Sequence, residues 1–386
     1  MHRYHTVFFI FLSIMGCFAA PVFAQVRFEE GDYSLFTEAW VNNTLGVNSS
    51  GEKRSDGARR YLSTDAALRA RGNYQLAPDL GIGARVLVAS DTDDSFRLSD
   101  ITALTIGKWG RVEIGRRQGL PDVLGGYAPN PYSYTSAEFG PASGRSLDPD
   151  GGLASSFFRT DLRNQVERIS YLGNSVALAG DRSVKGLYVS PRLGGFIFGV
   201  AYTPDASTTP TGRGNDFSDL LQTGVSYEMY DGQETYRIGG SYTYAKGDSR
   251  VRDLSSFNIG TSVSLDDRFQ PGSTTILGVN VSSDLDTGIV RGSNTSTAIG
   301  ITTSANYEIG PWIWGGYYQF ARAEGNVELP ENDELQVLQL GSSYRFTTHL
   351  RVFNAAYIYD FDNENGDAFT TDSNGAIFLL GLRVTL

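Results

Sequence analysis

Along most of the chain, apolar and polar residues alternate with a period of two. Between Tyr61 and Ala77, one side carries Leu62, Thr64, Ala66, Leu68 and Ala70, and the other Ser63, Asp65, Ala67, Arg69 and Arg71. A segment whose sides differ in this way is a β-strand between an apolar and a wet environment. A tight turn at Pro78-Asp79 follows, and then Ile82, Ala84, Val86 and Val88 alternate with Gly83, Arg85, Leu87 and Ala89. Leu98 to Gly107 returns, Lys108-Trp109-Gly110 turns, and Arg111 to Arg117 leads into a stretch of a different kind. From Gln118 to Asn164 there is no strand period, and Pro121, Pro129, Pro131, Pro141 and Pro149 punctuate the stretch. A loop this long inside a compact domain is uncommon and is usually functional or disordered.

Beyond Asn164 the alternation resumes. It predicts strands at Val166–Pro191 (a single strand with an inserted bulge), Phe196–Thr203, Asp219–Tyr230, Tyr236–Lys246, Ser255–Leu265 and Thr274–Ser283. Further strands fall at Thr297–Ile309, Trp312–Ala323, Leu335–Phe346, Leu350–Phe361 and Ala376–Leu386. With Phe28–Asn42 and the four strands before the long stretch, the expected total is sixteen. Short turns alternate with longer polar loops, which is the pattern of an all-β, antiparallel transmembrane β-barrel.

Trp312, Trp314, Tyr318 and Phe320 fall on one side of their strand, and Phe353, Ala355, Tyr357 and Tyr359 on one side of another. Both rows are expected to face lipid as an aromatic girdle, with Trp109 beside Lys108 as a further interface anchor. A secreted β-sandwich or β-solenoid is the rival architecture. No repeat period appears, and an ordinary core would not alternate with Arg and Glu over this length.

Composition agrees with strands that need aromatic belts and tight curvature: 12% of residues are aromatic and 45 are glycine. No run of 18 apolar residues is present that would cross a membrane as a helix. The N-terminus reads as a secretory signal, with Arg3, an apolar run from Val7 to Ala20, and Val22-Phe23-Ala24 at the cleavage positions. Cleavage is expected after Ala24, leaving residues 25–386 as the barrel; a retained anchor and lipoprotein processing at Cys17 fit less well. Loss of Arg3 takes the formal net charge from −11 to −12. That balance argues against nucleic acid as a partner. Cys17, the only cysteine, leaves with the signal, so no disulfide, thiolate metal site or cysteine nucleophile is expected.

The last strand places Phe378, Leu380, Leu382, Val384 and Leu386 on one side, which is how outer-membrane barrels usually finish. Three local segments then carry a resemblance. Leu104-Thr105-Ile106-Gly107-Lys108-Trp109-Gly110-Arg111-Val112-Glu113-Ile114-Gly115-Arg116 resembles the strand–turn–strand that introduces the third loop of general (non-specific) Gram-negative porins. Ala137-Glu138-Phe139-Gly140 resembles the acidic segment within that loop, although Pro141 stands where a second glycine is common. Tyr188-Val189-Ser190-Pro191-Arg192-Leu193-Gly194-Gly195-Phe196-Ile197-Phe198-Gly199-Val200-Ala201-Tyr202 is similar to the hairpin that follows, and Gly173–Lys185 is an insertion relative to it. The resemblance covers nearly the whole chain. It implies a homotrimer in the outer membrane, in contact with lipid and lipopolysaccharide. It also implies a third loop, here about 118–164, folded into the lumen, and passive diffusion of ions and small hydrophilic solutes.

A wide barrel leaves an aqueous lumen, so selection rests on size and charge at the narrowest point. By alternation Arg69, Arg71, Arg85 and Arg117 face the interior, and the resemblance sets Glu138, Asp148 and Asp150 of the loop across from them. An Arg facing lipid near the midplane would cost about 2–4 kcal/mol, which favours the lumen for each of them. No cofactor or metal is expected. The carboxylates of Asp91 to Asp94 suit a hard cation, but a solvated loop accounts for them as well. Catalysis is not expected either: the remaining histidine, His349, sits in a predicted turn without a placed carboxylate partner. Two other functions stay open: a substrate-specific channel, which needs an aromatic slide or extra binding loop, and an adhesin-like surface barrel, which needs expanded loops.

Overall fold

The structure is a computed structural model that describes residues 25–48, 60–90, 96–117, 119–120, 183–206, 217–247, 252–287, 297–324, 332–363 and 373–385. The strands are β1 (Gln25–Glu30), β2 (Tyr33–Asn48), β3 (Arg60–Ala77), β4 (Leu80–Ser90), β5 (Phe96–Gly107) and β6 (Gly110–Arg116). After them come β7 (Val184–Val189), β8 (Phe196–Ala206), β9 (Phe217–Asp231), β10 (Glu234–Gly247), β11 (Leu254–Asp266) and β12 (Ser273–Thr287). The series ends with β13 (Ala298–Ile309), β14 (Trp312–Glu324), β15 (Asn332–Arg345), β16 (Leu350–Asn363) and β17 (Ser373–Thr385).

From β2 onward each strand pairs antiparallel with the next, and β17 pairs with β2, so the sheet closes on itself. Closure removes the open edges that membrane hydrocarbon would leave unpaired. The expected count of sixteen is corrected: among the described residues the sheet has 17 strands. The N-terminal segment predicted as one strand folds as two. Gly31 sits at φ 57°, and the Gly31-Asp32 turn folds β1 back on β2 with Glu30 opposite Tyr33. Gly-Asp is a recognised hairpin signal, because the first central position of such a turn takes the positive φ that glycine adopts without cost.

β1 and β17 share one edge of β2. β1 pairs with Tyr33–Glu38 and β17 with Trp40–Asn48, while β3 occupies the opposite edge. The strand predicted at Val166–Pro191 is also corrected within the described residues. There β7 is only Val184–Val189, matched to the short partner segment of β6; residues 166–182, which include most of the Gly173–Lys185 insertion, lie outside them.

Cross-strand partners share a side, so the ladders carry the two sides unbroken around the circle. The outer side is apolar and exposed: Ile82, Val200, Ile259, Leu277, Leu340, Ile358 and Leu380 belong to it. The inner side carries the polar positions, among them Glu113, Lys185, Gln222, Asn258, Ser282, Gln319 and Gln339, all buried. This is the inversion of a water-soluble fold that a lipid surround requires.

The ladders put the two expected ring rows on different sides: Trp312, Trp314, Tyr318 and Phe320 share the outer side of β14, and the row on β16 is corrected. Trp312, Trp314 and Tyr318 are exposed on the outer side; Trp312 and Trp314 stack at 5.3 Å, and Tyr344 meets Trp312 edge-on at 4.6 Å. Phe353, Ala355, Tyr357 and Tyr359 instead face inward and are buried. Phe353 pairs with Ser343 and Gly381, and Tyr357 with Gln339 and Ile377, which fixes them on the inner side. Both sides of β16 bear apolar residues, with Val352, Ala356 and Ile358 outside, so its own alternation points neither way.

Candidate functional site

The inner sides of β2–β7 gather the charges. Arg71 and Arg85 are direct partners in the β3–β4 ladder, and Arg69 lies two residues before Arg71 on the same side. Each cation has a fixed neighbour. Arg69 reaches Glu38 at 3.5 Å, and Arg85 reaches the buried Asp100 at 3.0 Å. The Arg71 Nε donates to Asn73 Oδ1 at 3.3 Å.

On β6, Glu113 accepts from two sides. Arg111 lies 2.8 Å from its Oε1, and Arg117 forms an ion pair with its Oε2. Lys185 on β7 stands opposite Gly115 and is buried, and its Nζ donates to the main-chain carbonyl of Arg117 at 2.8 Å. Lysine is almost never buried without a partner. Among the described side chains the wall therefore holds six cationic groups (Arg69, Arg71, Arg85, Arg111, Arg117 and Lys185) against three carboxylates (Glu38, Asp100 and Glu113).

Beyond β6 the chain turns onto the inner side. The Leu120 N–H donates to Gln222 Oε1 at 2.9 Å, and its side chain packs with Leu187, Val189, Ala201 and Ile197, all inward-facing on β7 and β8. The β14–β17 wall differs. Its inward positions from Ile313 to Ala321 on β14, Leu335 to Ser343 on β15 and Phe353 to Tyr359 on β16 are uncharged. Inward cations also stand near the ends of β15–β17, where Arg345, Arg351 and Arg383 are successive ladder partners, so the contrast between the two walls belongs to the middle of the strands.

All four arginines named from the sequence lie on the charged wall. Glu138, Asp148 and Asp150 lie outside the described residues, as do Asp91 to Asp94 and the signal segment 1–24. Alternation had already offered the partners that sequence reasoning missed: Arg111 and Glu113 share the phase of Arg117, and Glu38, Asp100 and Lys185 share the inward phase of their own strands. Trp109 is exposed in its turn, and its carbonyl accepts from the Tyr188 hydroxyl at 2.8 Å. His349 is likewise in a turn, where its backbone N–H donates to Thr347 Oγ1 at 3.1 Å.

On the outer side, β1–β6 carry a depression of about 780 Å³ floored by Gly72, Ala84 and Ala103 and rimmed by Phe28, Leu35 and Ile114. Among the described side chains, the outward positions of β4–β6 bear no aromatic ring, whereas β8–β10 present Phe196, Phe198, Tyr202, Tyr227, Tyr236 and Tyr242.

The profile of Gram-negative porins matches residues 12–367. The chain belongs to that porin family. Among solved structures it is similar to a Salmonella typhi OmpF in complex with daunomycin, with 12% identity, a TM-score of 0.63, and coverage of 93% of this chain and 99% of that one. A trimer form of Vibrio cholerae OmpT gives 11% identity, a TM-score of 0.59, and coverage of 92% and 99%. An anion-selective porin from Comamonas acidovorans gives 14% identity, a TM-score of 0.58, and coverage of 92% and 100%. At these identities the likeness speaks for the barrel fold. No curated protein matches the sequence. This porin is an outer-membrane channel of a Gram-negative bacterium, for passive diffusion of ions and small hydrophilic solutes.

Proposed function

We propose that the inner wall of β2–β7 sets the selectivity of the channel and favours small anions. The excess of six cationic groups over three carboxylates on adjacent strands carries this reading. Fixed charges beside a water-filled path act at lower dielectric than bulk water, so a few uncompensated cations outweigh the acidic net charge of the whole chain. The anion-selective porin among the similar structures gives the same fold a matching precedent. Planar-bilayer recordings under a salt gradient test it. The purified porin gives stable conductance steps with a reversal potential of anionic sign; a cationic sign, or no conductance from folded protein, overturns it.

The porin works as a homotrimer, with the outer side of β1–β6 as the subunit contact. Small residues let β-sheet walls approach closely in lipid, where packing drives association, and the lack of rings among the described outward side chains of β4–β6 suits protein contact better than lipid. The ring-bearing outer side of β8–β15 takes lipid and lipopolysaccharide. Export uses the signal 1–24, removed after Ala24. N-terminal sequencing of the mature protein checks the cleavage, and crosslinking in native membranes checks the trimer.

A further inference from the structure

Two buried inner-wall residues converge on the stretch just after β6. Gln222, from the middle of β9, uses its Oε1 to accept the Leu120 N–H at 2.9 Å and is fully buried. The Nε2 of the same amide makes no hydrogen bond among the described residues, so the side chain is engaged through its oxygen. Lys185, equally buried, spends a hydrogen bond on the Arg117 carbonyl at 2.8 Å. A main-chain group buried away from water without such a partner carries the full cost of its lost hydration. Neither contact is needed by the barrel ladder, because Gln222 keeps its backbone pairing with Thr243 and Ala201, and Lys185 with Gly115.

We propose that Gln222 and Lys185 are positioning residues of the conduit: they pin Leu120 and Arg117 to the inner wall and so hold the Arg117 charge at a fixed place beside the path. The inference rests on the channel reading given above. Pinning from β7 and β9 at once leaves the stretch little freedom to swing. Arg117 then keeps its ion pair with Glu113, and ions crossing this level meet a constant field rather than a fluctuating one.

The test is single-channel recording of the full-length porin, comparing the native protein with Gln222→Leu, Gln222→Glu, Lys185→Met and Lys185→Arg. Gln222→Leu removes the acceptor at nearly constant volume and without changing charge. It is expected to raise open-channel current noise several-fold, with the resistance of the folded barrel to heat little altered. Gln222→Glu keeps an acceptor for the Leu120 N–H and is expected to be as quiet as the native channel. Lys185→Met is expected to be noisy, and Lys185→Arg, which keeps a donor, to be quiet. Native-level noise in both Gln222→Leu and Lys185→Met overturns the inference, as does equal noise in Gln222→Leu and Gln222→Glu. If Gln222→Leu does not fold, the lysine pair decides on the same criterion. A native protein that conducts while the variants behave identically refutes only the positioning role; a native protein that does not conduct refutes the channel reading.

Discussion

Arg71 and Arg85 stand directly across from each other in the β3–β4 ladder, both on the inner side of the barrel. Like charges opposite one another weaken a ladder, and among the described residues only Arg85 of the two has a carboxylate in contact, Asp100 at 3.0 Å. Arg71 relies on the neutral Asn73. A pair that works against the sheet points to a function for its charge. Replacing both by alanine is expected to move the reversal potential toward cations and, because the buried Asp100 loses its Arg85 partner, to lower the resistance of the barrel to heat. An unchanged reversal potential would remove this pair from the selectivity wall.

Glu113 joins Arg111 and Arg117, so it holds two cations with one carboxylate. Glu113→Gln keeps the shape and removes the charge. Breaking a buried ion pair from one side costs on the order of 3–5 kcal/mol, so the unfolding temperature on heated gels should fall. Selectivity should move the opposite way from the arginine variants, toward anions. A loss of stability without that shift would make Glu113 purely structural.

The Phe353 ring lies over Gly381, where a Cβ would collide with it. Gly381→Val should therefore destabilise strongly. Phe353→Ala should cost about 3–5 kcal/mol by opening a cavity. The two together should cost less than the sum, because the valine side chain fills space that the ring vacates. Heat or denaturant unfolding of all four proteins measures the coupling; strict additivity would mean that the contact contributes nothing.

Ala84 lies on the floor of the outer depression, whereas Ile301 lies on the outer side of β13, away from it. Ala84→Trp is expected to convert the trimer to monomers on semi-native gels, and Ile301→Trp to leave it intact. The monomers should still conduct, in single steps rather than threes. Trimers that persist with Ala84→Trp would move the contact to another wall.

Much of the barrel was legible because lipid imposes a period. An Arg on the outer side at mid-membrane is costly, so Arg69, Arg71 and Arg85 reveal the inward phase of β3 and β4 without help from neighbours. β16 offers no such marker in its middle. Phe353 and Tyr357 on one side and Val352 and Ile358 on the other suit lipid equally, and only the ladder partners Ser343 and Gln339 decide. The N-terminal hairpin was hidden for a different reason. The turn takes only two residues, so no loop interrupts the run from Phe28 to Asn42; the marks are Gly31 and the change of outward positions from even (Phe28, Glu30) to odd (Tyr33, Leu35). The carboxylates beside the arginines were missed because acids were sought in the long loop, while Glu38, Asp100 and Glu113 sat in phase on the neighbouring strands.

The edge of β2 has a kinetic consequence. Trp40 pairs with Thr385, and Gln25 lies against Glu38 on that same edge. Every other neighbouring pair around the circle joins strands that follow one another in the chain, so each of those can form as the chain passes through it. The β2–β17 ladder joins segments separated by almost the whole sequence, and such contacts pay their loop-closure entropy before any pairing rewards it. Closure should therefore come late in folding, after the hairpins have set the registers. Amide protons of Val41 to Leu45 in partly folded protein should then gain protection after those of β10–β12.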